Sequence, residues 1–551
     1  MKKYLFLAIA ALGFAACSDS DLNGGKDPIH KGEIEESYIA INLSASELTR
    51  AADGYDDGTV DERKVNHADF FFFDENGQPF PVNATEGPAT APGAAGGRNH
   101  LRATNISFSA DEDGDDISDT SNAVLLLKTY KGEYPSQIVA VLNWSSNTTP
   151  YTLESLYKDI TTSVQQEFNS TKYFVMSNAV YAQNGKAVYA APLTIDNIYT
   201  PTENETEDQI LQNATPITIY VERVAAKVTV KSADNIANSE FDINESVGDK
   251  KVYAKILGWE LYRDNAYSRL LKKIDASWDD TTIGFGGWND EPWYRSFWAE
   301  SLVAPTENMP ETYNLADGVS TYIGENTTGK ETCTKVIIKA QLQDENDQPL
   351  EIALWNNVEY VGNETLCTVV ANTLKNTFYA FNGTTYTGIL PEDLQCVAGG
   401  TDGAPNGVKA NEVYFQISES SKNKDWYKYV NGEFKQLSND MNDDPHGLKA
   451  INLELKSVPS AVLYKGGKTL YYVDIKHFGK SGSISEFGIV RNHSYNLTIK
   501  SIKGYGSPVY TGSEFIKEYP TTPDQQTYVS AKINILSWRL VNQEVNIQPQ
   551  N

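Results

Sequence analysis

Apolar positions along this chain recur at every second residue far more often than at the three-to-four-residue spacing of a helix, which predicts a protein built mainly of strands. In the stretch Ser37 to Ser44, Ile39, Ile41 and Leu43 alternate with Ala40, Asn42 and Ser44, the pattern of a half-buried strand. Phe70 to Phe73 predicts another strand. The Asp74-Glu75-Asn76-Gly77 that follows predicts a tight turn, because Asn and Gly accept the positive φ that such turns require. The short continuous apolar runs Val124 to Leu127 and Ile138 to Leu142 predict buried strands, and Tyr173 to Ser177 predicts one more. One stretch reads differently: Leu153, Leu156, Ile160, Val164 and Phe168 stand at helical spacing and predict a helix over Thr152 to Phe168.

Between Pro216 and Val230 the alternation slips by one residue. Ile217, Ile219 and Val221 set one phase and Val224, Ala226, Val228 and Val230 the other, with Glu222-Arg223 between them. A slip of one buries the opposite face of the strand, which suits a chain passing from one domain to the next. Beyond it, strands are predicted at Val252 to Tyr262, Lys335 to Leu342, Val413 to Ile417, Ala461 to Ile475, Tyr495 to Ile502 and Tyr528 to Trp538. The expectation is an all-β protein of two tandem β-sandwich domains with few short helices, at residues 51–222 and 223–551. Composition agrees: 32 Tyr, 20 Phe and 9 Trp against 4 Met favour pleated faces, where flat rings pack well.

The amino terminus changes the picture from fold to compartment. Lys2 and Lys3 precede an apolar run from Leu5 to Phe14, about half the roughly 20 residues a helix needs to cross a bilayer, and Ala15-Ala16-Cys17 follows. These are the charged, apolar and small-residue regions of a lipoprotein signal peptide, residues 1–17, with Cys17 as the acyl acceptor. The polar text after Cys17 holds too few large apolar residues to fold alone and reads as a tether.

Charge and candidate chemistry then exclude more than they add. A net charge of −27 argues against nucleic acid as a partner, since a protein must neutralise phosphates to bind them. The six histidines fall in no metal-ligand spacing, and nucleophile-elbow, phosphate-loop and dinucleotide fingerprints are missing, so no enzyme and no cofactor is expected. Asp111, Asp113 and Asp115 imitate a calcium loop, but Asp116 stands where glycine is needed and Asn122 where the bidentate Glu belongs. Cys333, Cys367 and Cys396 form no CxxC pair; one bridge among them is open in an oxidising periplasm, and buried thiols are the reading adopted. The aromatic run Trp278, Phe285, Trp288, Trp293, Tyr294, Phe297 and Trp298 reads as core or loop cover, with a sugar-stacking platform as the alternative.

Taken in order, these segments resemble the precursors of Bacteroidetes fimbrillins, the type V pilins. The lipobox is followed by an apolar strand, by Arg50-Ala51, and by the Phe-rich strand with its Asn-Gly turn. The likeness continues through Gln137 to Asn143, Phe174 to Ser177 and Val221 to Val228. It closes with Arg491 to Ile499, Gly504, Gly506, Pro508 and a terminal strand bearing Trp538, most like the Mfa-type minor-fimbria major subunits. Residues from about Asp264 to Ala410 match only loosely.

The resemblance implies transthyretin-like sandwiches and a route. The precursor is lipidated at Cys17 and carried through the periplasm to the outer membrane. An Arg-specific protease then cuts between Arg50 and Ala51, removing propeptide 18–50 and its strand, with Ile39, Ile41 and Leu43. The vacated groove takes a strand from another subunit, either a copy of this chain or an accessory or tip pilin, and Val541, Val545 and Ile547 mark the donor. The physics fits, because a strand taken out of a sheet leaves unpaired backbone groups beside an apolar groove. The implied role is a structural subunit of an adhesive cell-surface fimbria. The rival reading is a glycan-binding outer-membrane lipoprotein that stays uncut and monomeric.

Overall fold

A computed structural model describes the chain from Ile34 onward, except residues 45–54, 57, 84–97, 105–106, 109–119, 131, 146–149, 184–185, 202–204, 275–299, 302–309, 311, 410–411, 439–442, 478–481, 483–485, 510–532, 535–537 and 548–551. Strands dominate, as the period-two pattern predicts. The amino-terminal half builds a nine-stranded sheet in the order His100–Ala103, Ala68–Phe73, Gln137–Leu142, Met176–Asn178, Ile217–Arg223, Ile34–Ser44, Thr120–Tyr130 and Ser107–Phe108, with Ala191–Pro192 added beside Gln137–Leu142. All six residues of Ala68–Phe73 are buried because both faces of this sheet are covered. Phe70 and Phe72 enter one core with Ile39, Ile41, Leu125, Leu127 and Ile138. Phe71 and Phe73 enter another with Val139, Leu156, Val224, Leu271 and Val490. The turn after this strand closes as expected, with Gly77 at φ +72 and the Asp74 N–H donating to Gln78 O at 3.0 Å.

The helix expected over Thr152 to Phe168 is only its first turn and a half. Thr152 caps the helix Leu153–Lys158 by accepting from the Ser155 N–H. The rest becomes the strands Thr161–Ser163 and Gln165–Phe168, because the β-branched Thr161 and Thr162 pair with Tyr267–Arg269, and Gln165–Phe168 folds against Thr171–Phe174. Tertiary pairing overrode a helical spacing carried by only five apolar residues.

In the second half, two sheets face each other across one core. The first runs Tyr55–Asp56, Trp538–Ile547, His493–Ile502, Ala226–Ser232, Ser320–Ile323; the second runs Glu240–Val247, Lys250–Tyr262, Lys335–Gln343, Lys468–Asp474, Ser507–Pro508. Val228, Ile323, Tyr495, Leu497 and Ile499 from the first meet Phe241, Val252, Trp259, Ile338 and Val473 from the second, which makes a β-sandwich. Across the phase slip at Glu222-Arg223 the buried face changes: Ile217 and Ile219 point into the amino-terminal core, Val224 into the core of Phe71 and Phe73, and Ala226, Val228 and Val230 into the sandwich.

Residues 344–467 are an insertion between the two neighbouring strands Lys335–Gln343 and Lys468–Asp474. The predicted strand Ala461 to Ile475 is accordingly two strands, Ala461–Tyr464 and Lys468–Asp474, in different sheets. Gly466 and Gly467 turn the chain between them at φ +60 and +72. Gly467 has a second reason to lack a side chain, since a Cβ there would lie 2.3 Å from Leu342 O. The insertion contributes a five-stranded and a four-stranded sheet, the helices Gly362–Leu374 and Leu448–Leu455, and a core of its own around Leu366, Val370, Phe415, Trp426, Ile451 and Leu463.

Candidate functional site

The strand Ile34–Ser44 lies inside the amino-terminal sheet. On one side it pairs antiparallel with Thr120–Tyr130 along its whole length, from Ile34↔Tyr130 to Ser44↔Thr120. On the other it pairs parallel with Ile217–Arg223 at Ile41↔Ile217 through Ser44↔Tyr220, and Tyr38 exchanges backbone hydrogen bonds with Tyr199 at 2.7 and 2.8 Å. Ile39 and Ile41 are fully buried in the sheet's core. Ala40 packs on the opposite face with Ile210 and Ala214, at the helix Glu207–Asn213. Leu43 is in the strand; its side chain, like those of Asn42 and Ser44, lies outside the described residues. Each buried isoleucine contributes about 1.5–3 kcal/mol of burial, and the ladder adds backbone pairing on both sides. Taking this strand out would expose Ala123, Leu125 and Leu127 along one wall and Ile217 and Ile219 along the other.

What holds the rest of that sheet is partly polar. Asp69, fully buried in Ala68–Phe73, accepts from His100 Nε2 at 2.6 Å and from Arg102 Nε at 2.7 Å, while His67 Nε2 lies 3.5 Å away. Burial by itself would raise the Asp69 carboxyl, but hydrogen bonds from His100, His67 and Arg102 together outweigh it and hold the group well below its ordinary value of 3.8. With both oxygens occupied, this carboxylate ties the neighbouring strand His100–Ala103 to Ala68–Phe73.

Where the two halves meet, a second set of charges is shut away from water. Lys272 Nζ sits 3.1 Å from Glu222, both fully buried, and Arg491 grips Glu325 through Nε at 2.9 Å and Nη2 at 2.7 Å. Burial pushes Glu222 up and Lys272 down, each opposed by the other's charge. Arg491 Nη1 also donates to Leu270 O at 3.0 Å, and Ser177 Oγ from the amino-terminal sheet donates to the same carbonyl at 2.6 Å. The junction is therefore a specific polar joint. Removing one partner of such a pair costs about 3–5 kcal/mol because the other charge is stranded.

The strand Trp538–Ile547, which holds the expected donor residues Val541, Val545 and Ile547, lies in the sandwich of its own chain. It pairs parallel with His493–Ile502 from His493↔Arg539 to Ile502↔Ile547. Among the described residues, its other side carries the two-residue segments Tyr55–Asp56 and Ile533–Asn534, which meet Trp538 to Val541. The side chains of this strand are outside the described residues, as are Cys17, Arg50, Ala51, the acidic run Asp111 to Asp119 and the aromatic run Trp278 to Trp298.

A different aromatic group, which the sequence reading passed over, stands on the insertion. Tyr379, Phe381, Tyr386, Tyr427, Tyr429 and Phe434 cover the outer face of its four-stranded sheet, opposite the buried Phe378 and Trp426. Tyr386 and Phe434, from the two edge strands, stack at 3.9 Å between centroids. Tyr386, Tyr429 and Phe434 stay 38%, 43% and 37% exposed. The alternation of Phe378, Tyr379, Ala380, Phe381 was the signal available for it. Among the described residues, no group of three or more His, Cys, Asp or Glu could hold a metal ion, and no helix is long and apolar enough to cross a membrane.

Against known proteins, residues 462–544 match the family described as major fimbrial subunit protein type IV, fimbrillin, C-terminal. That span takes in Lys468–Asp474 and His493–Ile502 and reaches into Trp538–Ile547. A search of curated proteins finds no match. Among solved structures, a candidate cell adhesion protein from Parabacteroides distasonis is 12% identical with a TM-score of 0.30, over 61% of this chain and 80% of that one. A fimbrial assembly protein from the same organism is 12% identical with a TM-score of 0.26, over 72% of this chain and 100% of that one. Likenesses this low carry no argument about role.

Proposed function

We propose that this chain, a member of the fimbrillin family by its residues 462–544, is a structural subunit of an adhesive cell-surface fimbria that grows by strand exchange. In this reading residues 1–17 direct export, Cys17 carries the lipid that anchors the precursor in the outer membrane, and 51–222 and 223–551 are the two units of the mature subunit. An Arg-specific protease cuts between Arg50 and Ala51. The strand Ile34–Ser44 is then held only by non-covalent contacts, and a strand from another subunit displaces it.

One observation carries the reading: Ile34–Ser44, the strand on the amino-terminal side of Arg50, is an interior strand paired on both sides, so its departure opens a slot and not merely an edge. The proposed donor suits that slot in two respects. Trp538–Ile547 has ten residues against eleven in Ile34–Ser44. It already pairs in parallel with a neighbour, as Ile34–Ser44 does with Ile217–Arg223. Exchange requires it to leave His493–Ile502, and the pairing lost there is regained in the slot of the next copy.

The test is to cut the purified precursor with an Arg-specific protease, read the new amino terminus and run the product unboiled on a denaturing gel. A start at Ala51 with a ladder of heat-labile multimers is expected, and Arg50→Ala should remain uncut and monomeric. A chain that is cut at Arg50, loses 18–50 and stays monomeric would overturn strand exchange; a chain left intact by the protease would favour the glycan-binding lipoprotein.

A further inference from the structure

Two of the three cysteines meet inside the insertion. Cys367 lies on the helix Gly362–Leu374, one turn after Asn363, and Cys396 lies on the strand Leu394–Ala398 against which that helix packs. Asn363 Oδ1 accepts from Cys396 Sγ at 3.0 Å and from Cys367 Sγ at 3.7 Å, so both sulfurs gather around one oxygen. Cys367 Sγ also approaches Leu394 O, two residues from Cys396, at 4.0 Å. The third cysteine, Cys333, is fully buried in the main sandwich unit, and burial pushes its thiol up to about 12, which keeps it inert.

We propose that Cys367 and Cys396 are a dithiol pair that closes into an intramolecular disulfide when the chain meets an oxidant of the disulfide class, either a thiol–disulfide oxidoreductase or oxidised glutathione. Accessibility decides the order of steps. Cys367 is buried while Cys396 is partly exposed, so Cys396 meets the oxidant first. Its sulfur, losing its proton to solvent, attacks the oxidant's disulfide and expels one oxidant thiol, leaving a mixed disulfide. The Cys367 sulfur then attacks Cys396 Sγ, forming the new S–S bond and expelling the second oxidant thiol. Two protein thiols are oxidised by two electrons, and one disulfide of the oxidant is reduced to two thiols.

The bridge would pin the helix Gly362–Leu374 to Leu394–Ala398 and enclose the strands Phe378–Phe381 and Tyr386–Gly388, which carry three of the six outward rings. It would thus brace the aromatic sheet from within. The proposal rests on the exported-subunit reading only for where the oxidant is encountered, and its test is independent of that reading.

The purified, fully reduced full-length chain is exposed to oxidised glutathione, remaining thiols are alkylated in denaturant, and peptides are weighed. The expected product joins the Cys367 and Cys396 peptides, two hydrogens lighter than the reduced pair, with Cys333 alkylated. A protease should also cleave between the two cysteines several-fold more slowly in the oxidised chain. Recovery of Cys367 and Cys396 each alkylated, each carrying its own glutathione, or bridged to Cys333 or to another chain would overturn the proposal. Failure of the chain to form multimers after Arg50 cleavage would overturn strand exchange and leave this result unchanged.

Discussion

The strands Ile34–Ser44 and Trp538–Ile547 each run parallel to one neighbour, yet they are held very differently. The first has partners on both sides and is covered on both faces, with Ile39 and Ile41 in one core and Ala40 in another. The second has one long partner, His493–Ile502, and only four residues of it are paired on the other side among the described residues. A strand of the first kind can leave only if something replaces it, because its departure uncovers a core and two ladders. One of the second kind gives up one long ladder and the short pairings of Trp538 to Val541. In the strand-exchange reading, this asymmetry separates a strand that must be cut loose from one that can be given away.

The largest effect should come from deleting each strand in turn. A chain made without 34–44 should lose its cooperative folding transition, since Leu125, Leu127, Ile217 and Ile219 would face solvent. A chain without 538–547 should still unfold cooperatively and fail only to form multimers after cleavage. Denaturant titration and unboiled gels on both deletions check this, and equal loss of folding in the two would break the comparison.

A smaller effect tests whether the emptied sheet keeps its shape. Asp69→Asn removes the charge that His100, His67 and Arg102 surround and should destabilise the chain by about 3–5 kcal/mol, in line with other buried pairs broken on one side. The sign with pH follows from the lowered carboxyl. The unfolded chain takes up the proton first, so the contribution is complete above the ordinary value of 3.8 and is lost as pH falls below it toward the folded value. Unfolding free energies measured between neutral and acid pH should therefore converge for the parent and Asp69→Asn as the solution becomes acidic.

The smallest effect sharpens the contrast between core and surface on the first strand. Glu36 pairs with Lys128 Nζ at 2.6 Å, but both side chains are about half exposed. Lys128→Ala should change stability by less than about 1 kcal/mol, because exposed ion pairs gain little in water. A larger loss in a denaturant titration would mean that the strand depends on its polar rim as well as on Ile39 and Ile41.

Much of this was legible in the residues. The alternation of Ile39, Ile41 and Leu43 announced a strand, as did Phe70 to Phe73, and the phase slip at Glu222-Arg223 announced a change of buried face. The insertion was not legible, since its strands carry the same period as those of the sandwich around it and nothing local says which sheet they join. Nor was the helix Gly362–Leu374, whose buried Leu366, Cys367, Val370 and Ala371 include a small and a weakly apolar residue that blur the helical stripe. The meeting of Cys367 with Cys396 depends on that helix and so was equally hidden.

By itself, then, the sequence determined the secondary-structure class, the apolar faces of the strands and the order of segments that resembles a fimbrillin, because alternation, turn residues and chain order are local properties. Only the tertiary structure decided that Ile34–Ser44 is interior while Trp538–Ile547 is nearly at an edge, that 344–467 builds two sheets and a core of its own, and that Asp69 and the Cys367–Cys396 pair find their partners. Those outcomes rest on contacts between residues far apart in the chain, where pairing and burial are settled by what fits in space and not by what stands next along the backbone.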